Sequence, residues 1–147
     1  MPQNSNTPAP IFIVTGSTPD AELHDRPLAY RVREVIAELL AAEYPDLPRA
    51  PAVCSDLWYL NQDHLRAEPA IAVGSPQVNA FTAFLTDRLP SLRVIDGRWI
   101  VQGEPDFDPA LAACWGVTPH LTSEAVATFL NEYAATFLEA LADRDQY

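Results

Sequence analysis

Residues 70–89, AIAVGSPQVNAFTAFLTDRL, decide the fold. Ala70–Val73 is an uninterrupted apolar run, the pattern of a strand covered on both faces. Gly74 permits a sharp turn, Ser75 suits a helix N-cap and Pro76 a first helical position. Val78, Phe81, Leu85 and Leu89 then share one helical face. Strand, tight turn and helix make half of a βαβ unit, and the flanking sequence repeats that grammar.

Upstream, Ile11–Thr15 (IFIVT) reads as a β-rich strand left through Gly16-Ser17-Thr18. The spacing predicts a helix from Pro27, with Leu28, Val32, Val35, Ile36, Leu39 and Leu40 as its stripe, ending at Tyr44-Pro45. Gly16–Arg26 is then a long loop, a length that favours a lid. Pro51–Cys54 reads as a second strand, and Asp56 as the cap of a short helix through Leu57, Leu60 and Leu65.

Downstream, Leu92–Ile95 and Arg98–Val101 flank Asp96-Gly97, a two-residue hairpin signal. One hairpin strand must oppose the parallel set. Ala110–Trp115 fits a buried strand or a short helix, and Thr122 or Ser123 is placed to cap one final helix. That helix carries Val126, Phe129, Leu130, Tyr133, Phe137, Leu138 and Leu141 on one side. Ala125, Ala127, Ala135 and Ala140 lie on the other, a surface small enough for a second copy to approach. The expected architecture is a single α/β domain, a Rossmann-like three-layer sandwich. Its sheet is mixed and mostly parallel, with a β-hairpin and helices on both faces. It spans residues 11–147 behind a flexible polar tail, residues 1–10.

Composition narrows the functions. At 147 residues the chain can bury roughly 68–70% of its unfolded surface, so its core needs no metal or disulfide. A net charge of -11 opposes binding to nucleic acid or to an anionic membrane. All nine cationic side chains are Arg, which removes Schiff-base lysine chemistry and the Walker A lysine. Cys54 and Cys114 sit in apolar surroundings and read as buried free thiols of a reducing compartment. The N-terminal MPQNSNTPAP has neither the basic nor the apolar region of a secretory signal. A cytoplasmic location is the expectation.

Parallel strands deliver their outgoing turns to one sheet edge, where open α/β folds bind ligands. Gly16, Ser17, Thr18, Gly74, Ser75 and Asn79 are therefore the candidate ligand-binding residues. Asp56 and His120 are the candidate catalytic carboxylate and imidazole. Each has an ordinary structural role too: Ser75 and Asp56 as caps, the glycines as turns, His120 in a local turn. GxGxxG, Walker A and GxSxG are absent. Cys54, His64, Cys114 and His120 lack zinc-ligand spacing, and Asp106-Phe107-Asp108 lacks the rest of a calcium loop. No pattern names a cofactor, and no metal site is expected. These turns suit a small polar, nucleotide-like ligand, with hydrolysis or group transfer as candidate chemistry. The alternative is a non-catalytic interaction module acting through homodimerisation.

Overall fold

The computed structural model describes residues 7–145. Its strands are β1 (Ala9–Thr15), β2 (Arg49–Ser55), β3 (Ala70–Val73), β4 (Ser91–Ile95), β5 (Trp99–Gly103) and β6 (Leu111–Gly116). They form one mixed sheet in the order β2-β1-β3-β6-β5-β4. β2, β1, β3 and β6 are parallel, whereas β5 runs against both β6 and β4. The chain steps from β1 to β2, returns to the other side of β1 as β3, and jumps to the far edge as β4. The meander β4-β5-β6 then brings it back to pair with β3. The apolar run after Pro109 is thus an interior parallel strand.

The helices are α1 (Pro19–Glu43), α2 (Asp56–Leu60), α3 (Ala80–Thr86), α4 (Pro119–Glu132) and α5 (Ala134–Asp145). Alternate strand residues point to opposite faces. Ile11, Ile13, Ile71, Val73, Ala112 and Cys114 therefore pack with α1, α4 and α5. Phe12, Val14, Ala70, Ala72 and Ala113 pack instead with Tyr59 of α2 and Phe81 and Leu85 of α3. Every residue of β3 is buried, as its unbroken apolar run requires.

Several boundaries differ from the sequence reading, each for a local reason. α1 starts at Pro19, because Thr18 accepts a hydrogen bond from the Ala21 N–H and Pro19 takes the first helical position. Pro27 lies inside the helix, so the long loop at Gly16–Arg26 does not exist. Ser55, rather than Asp56, caps α2, and Leu65 belongs to a separate 3-10 turn. Thr118, rather than Thr122 or Ser123, caps the last helical region, which divides at Tyr133 into α4 and α5. That division breaks up the alanine stripe: Ala125 is fully buried in the core, while Ala127 and Ala135 are exposed. The hairpin link is Asp96-Gly97-Arg98, one residue longer than expected, with the Arg98 N–H returning to the Ile95 carbonyl. β1 begins at Ala9, inside the expected tail, and residues 1–6 of that tail lie outside the described residues. Both cysteines are free, but Cys54 is only partly buried.

The α3 region departs most from expectation. Residues 75–78 form a turn, closed by the Val78 and Asn79 N–H groups on the Ser75 carbonyl. Asn79, not Ser75, caps the helix, its Oδ1 accepting from the Phe81 and Thr82 N–H groups. Its Nδ2 donates at 2.9 Å to the carbonyls of both Val14 and Val73, the adjacent ends of β1 and β3. Gln102 holds the other end of α3, donating to the Thr86 and Leu89 carbonyls. Seven residues are too few for a stable isolated helix, so these two buried amides hold it in place. Asn79→Ala leaves two buried carbonyls and two helix N–H groups without this partner, and should cost at least about 2 kcal/mol. Urea unfolding checks this; a midpoint equal to that of the wild type would contradict the clasp.

Candidate functional site

The outgoing turns of β1, β2, β3 and β6 share one edge because those strands are parallel. The turn after β1 leads to α1 on one face, and the turn after β3 leads to α3 on the other. Between them the chain parts in opposite directions, the topological position where open α/β sheets form a crevice. Pairing of β1 with β3 extends to Val14 and Ala72. Beyond it lie Gly16 and Gly74, two backbone positions with little room for a side chain. A Cβ on Gly16 would lie 1.8 Å from the Val78 carbonyl oxygen, so the turn after β3 packs directly on it.

The residues proposed from sequence divide into two groups. Ser17, Asp56 and Asn79 belong to a polar clasp. The Ser17 hydroxyl donates to Asp56 Oδ1 at 2.5 Å, and the same oxygen accepts from the Leu57 N–H. Asp56 Oδ2 accepts from the Ala80 N–H at 2.7 Å, tying the end of β2 to the start of α3. Asp56 is 4% exposed and Asn79 1%. With their hydrogen bonds directed into the protein, these two side chains act as braces. Thr18 is likewise committed to capping α1. His120 stands away from them, its side chain 80% exposed on α4 and 3.1 Å from Glu124.

Ser75 belongs to the second group, which lines a cavity of about 110 Å³, and Gly74 precedes it against the cavity-lining Asp25. Its walls come from α1 (Asp20, Ala21, His24, Asp25), from the turn after β3 (Ser75, Gln77, Val78), and from Gly116 to Pro119 with Thr122. Asp25 is the group sequence reasoning missed. It is 4% exposed, and no described residue donates a hydrogen bond to its carboxylate. Gly74 has φ +117°, and a Cβ there would meet Asp25 Oδ2 at 2.6 Å. Only glycine accepts both that backbone conformation and that close approach.

The signal for Asp25 was present. Once Thr18-Pro19-Asp20 is read as a helix start, Ala21, Asp25, Ala29, Val32, Ile36 and Leu40 form one buried stripe. Asp25 stands in it as a carboxylate at a core position. Burial pushes its carboxyl up to about 6, opposed by nearby His24 and aided by Asp20. A buried carboxyl without a donor, on a cavity wall and titrating near neutrality, can accept a hydrogen bond or a proton from a bound molecule. The Cys54 thiol behaves differently: burial pushes it up to about 12, which makes it a poor nucleophile.

The carboxylates on larger hollows are exposed or already paired. A hollow of about 400 Å³ beside Tyr44–Pro48 and α5 contains Asp145, already paired with Arg49 at 2.8 Å. Among the described residues no three His, Cys, Asp or Glu side chains gather as a metal site. No described helix is long and apolar enough to cross a membrane. In comparisons with known proteins, the chain matches no family model and no curated protein.

The two buried aspartates should respond oppositely to substitution. Asp25 has its carboxyl raised in the folded state, so its contribution to stability is present below about pH 4 and is lost as pH rises through about 6. Asp25→Asn should therefore raise the melting temperature at pH 7.5 by about 2–4 °C, the effect of ~1 kcal/mol in a domain of this size. It should change nothing at pH 4. Asp56→Ala strands three donors and should lower the melting temperature at both values. Scanning calorimetry of the two variants checks the contrast; destabilisation by Asp25→Asn at pH 7.5 would show that its carboxylate has a partner.

Proposed function

We propose that this protein binds a small polar ligand at the carboxyl edge of its sheet, with Asp25 as the principal recognition group. One observation carries the reading: a buried carboxylate that receives no hydrogen bond from the described residues borders a cavity between α1 and the turns after β3 and β6. Burying such a group without a partner costs stability, and a ligand that donates to it offsets the cost. Ser75, Gln77 and Thr118 supply further polar atoms around the opening. A Rossmann-like three-layer arrangement accords with this placement, since ligands of such folds sit at that edge. The same carboxylate could take a proton from a bound nucleophile, so hydrolysis or transfer is chemistry available to it.

A thermal-shift screen of small polar fragments, followed by amide NMR, tests the reading. Stabilising fragments should move the amides of Ser75, Gln77 and Thr118, and should lose their effect on Asp25→Asn. Fragments that stabilise the protein while moving only residues near Tyr44–Pro48 would overturn it.

Self-association is the second reading, supported by the sheet edge rather than by alanines. β4 is one of the two edge strands, Val94 and Ile95 on it are 41% and 37% exposed, and an apolar hollow beside them includes Trp115 and Val117. An edge of this kind offers unpaired backbone groups to a second chain. Light scattering over a concentration series should then show a dimer that Val94→Lys dissociates; a wild-type monomer at high micromolar concentration would exclude this reading.

A further inference from the structure

We propose that the crevice beside Asp25 receives the ammonium end of a small primary amine. This rests on the ligand-binding reading above and adds the charge class of the ligand. Three observations carry it.

The first is what lines the cavity. Among the described residues its only charged or titratable side chains are Asp20, His24 and Asp25, all from α1; the turns after β3 and β6 contribute none. No guanidinium lines it, and the chain has no lysine. The second is the state of the two helix starts beside it. A helix N-terminus attracts anions through its free N–H groups. Here both α1 and α4 begin with proline, which has none. Their third N–H groups, Ala21 and Leu121, are taken by the threonine caps. The fourth, Glu22 and Thr122, bond to the carbonyls of those threonines. An anion would find one free N–H in the first turn of each helix and a carboxylate facing it.

The third is Asp25 itself, 4% exposed, without a described donor, and pressed against the backbone of Gly74. An ammonium carries three donors and no acceptor. One can reach the carboxylate and the others the side-chain oxygens of Ser75 and Gln77. A cavity of about 110 Å³ holds the end of such a molecule, since whole ligands commonly need about 300 Å³ or more. The rest of the amine would extend past His24 and Thr118.

The test uses three probes of similar size, n-propylamine, 1-propanol and inorganic phosphate, titrated against the labelled full chain while amide shifts are followed. Propylammonium should move Ser75, Gln77 and Thr118 saturably at pH 7.5. Its affinity should fall about tenfold at pH 5, where Asp25 is largely protonated and the amine remains charged. Asp25→Asn, with an otherwise unchanged spectrum, should abolish it; the pH series on the wild type stands independently of that variant. Equal binding of propanol, binding of phosphate in place of the amine, or pH-independent amine binding would overturn the amine proposal and leave the ligand-binding reading standing. Failure of all three probes to move these amides would overturn the amine proposal. The polar-fragment screen would then decide whether the broader reading falls with it.

Discussion

The Asn79 carboxamide holds the structure together where its sheet comes apart. Parallel strands need crossovers, and when successive crossovers leave on opposite faces, two neighbouring strands lose common cover at their ends. Here those strands are β1 and β3, and Asn79 donates to a carbonyl near the end of each while capping α3. One side chain thus fixes the strand ends, the start of the short helix and the turn between them. Asp56 adds the third parallel strand by linking the end of β2 to Ser17 and to the Ala80 amide. Asn79 and Asp56, each supplied with partners, brace the edge, while the buried Thr15 and Thr82 hydroxyls beside them have none among the described residues.

Asp25 differs from the two braces of that edge. Asp56 and Asn79 have partners inside the protein; Asp25, equally buried, has none among the described residues. Its place follows from α1. Thr18 and Pro19 start the helix early enough that Asp25 falls on the buried stripe, two turns in, facing Gly74. A carboxylate held there weakens the fold above its own titration point, a cost expected where a site is prepared for a ligand.

The sheet was legible in the sequence because period and composition agreed. Ala70–Val73 could hardly be anything but a covered strand, and the apolar pairs around Asp96-Gly97 announced the antiparallel hairpin. Helix starts were less legible, because two prolines competed for the same role. Pro27 has the stronger apolar stripe behind it, while Pro19 has the better cap before it, and capping prevailed. With the helix started at Pro27, Asp25 falls in a loop and off the buried stripe. The same ambiguity separated Ser75 from Asn79, since both precede the apolar face of α3 and only the strand carbonyls choose between them. A partner 65 residues away in sequence, such as Val14 for Asn79, leaves no local pattern. The positions of Gly74 and Ser75 at the edge were readable; the buried carboxylate of Asp25 beside Gly74 was not.

In the free protein Asp25 is a buried side chain whose carboxylate borders the cavity and receives no hydrogen bond from the described residues. Carboxyl-carbon NMR with pH titration measures it directly. The Asp25 resonance should titrate near pH 6, apart from the exposed aspartates, in ligand-free protein. Titration at or below about pH 4, the ordinary aspartate range, would mean that the carboxylate is already solvated or hydrogen-bonded, and would contradict it.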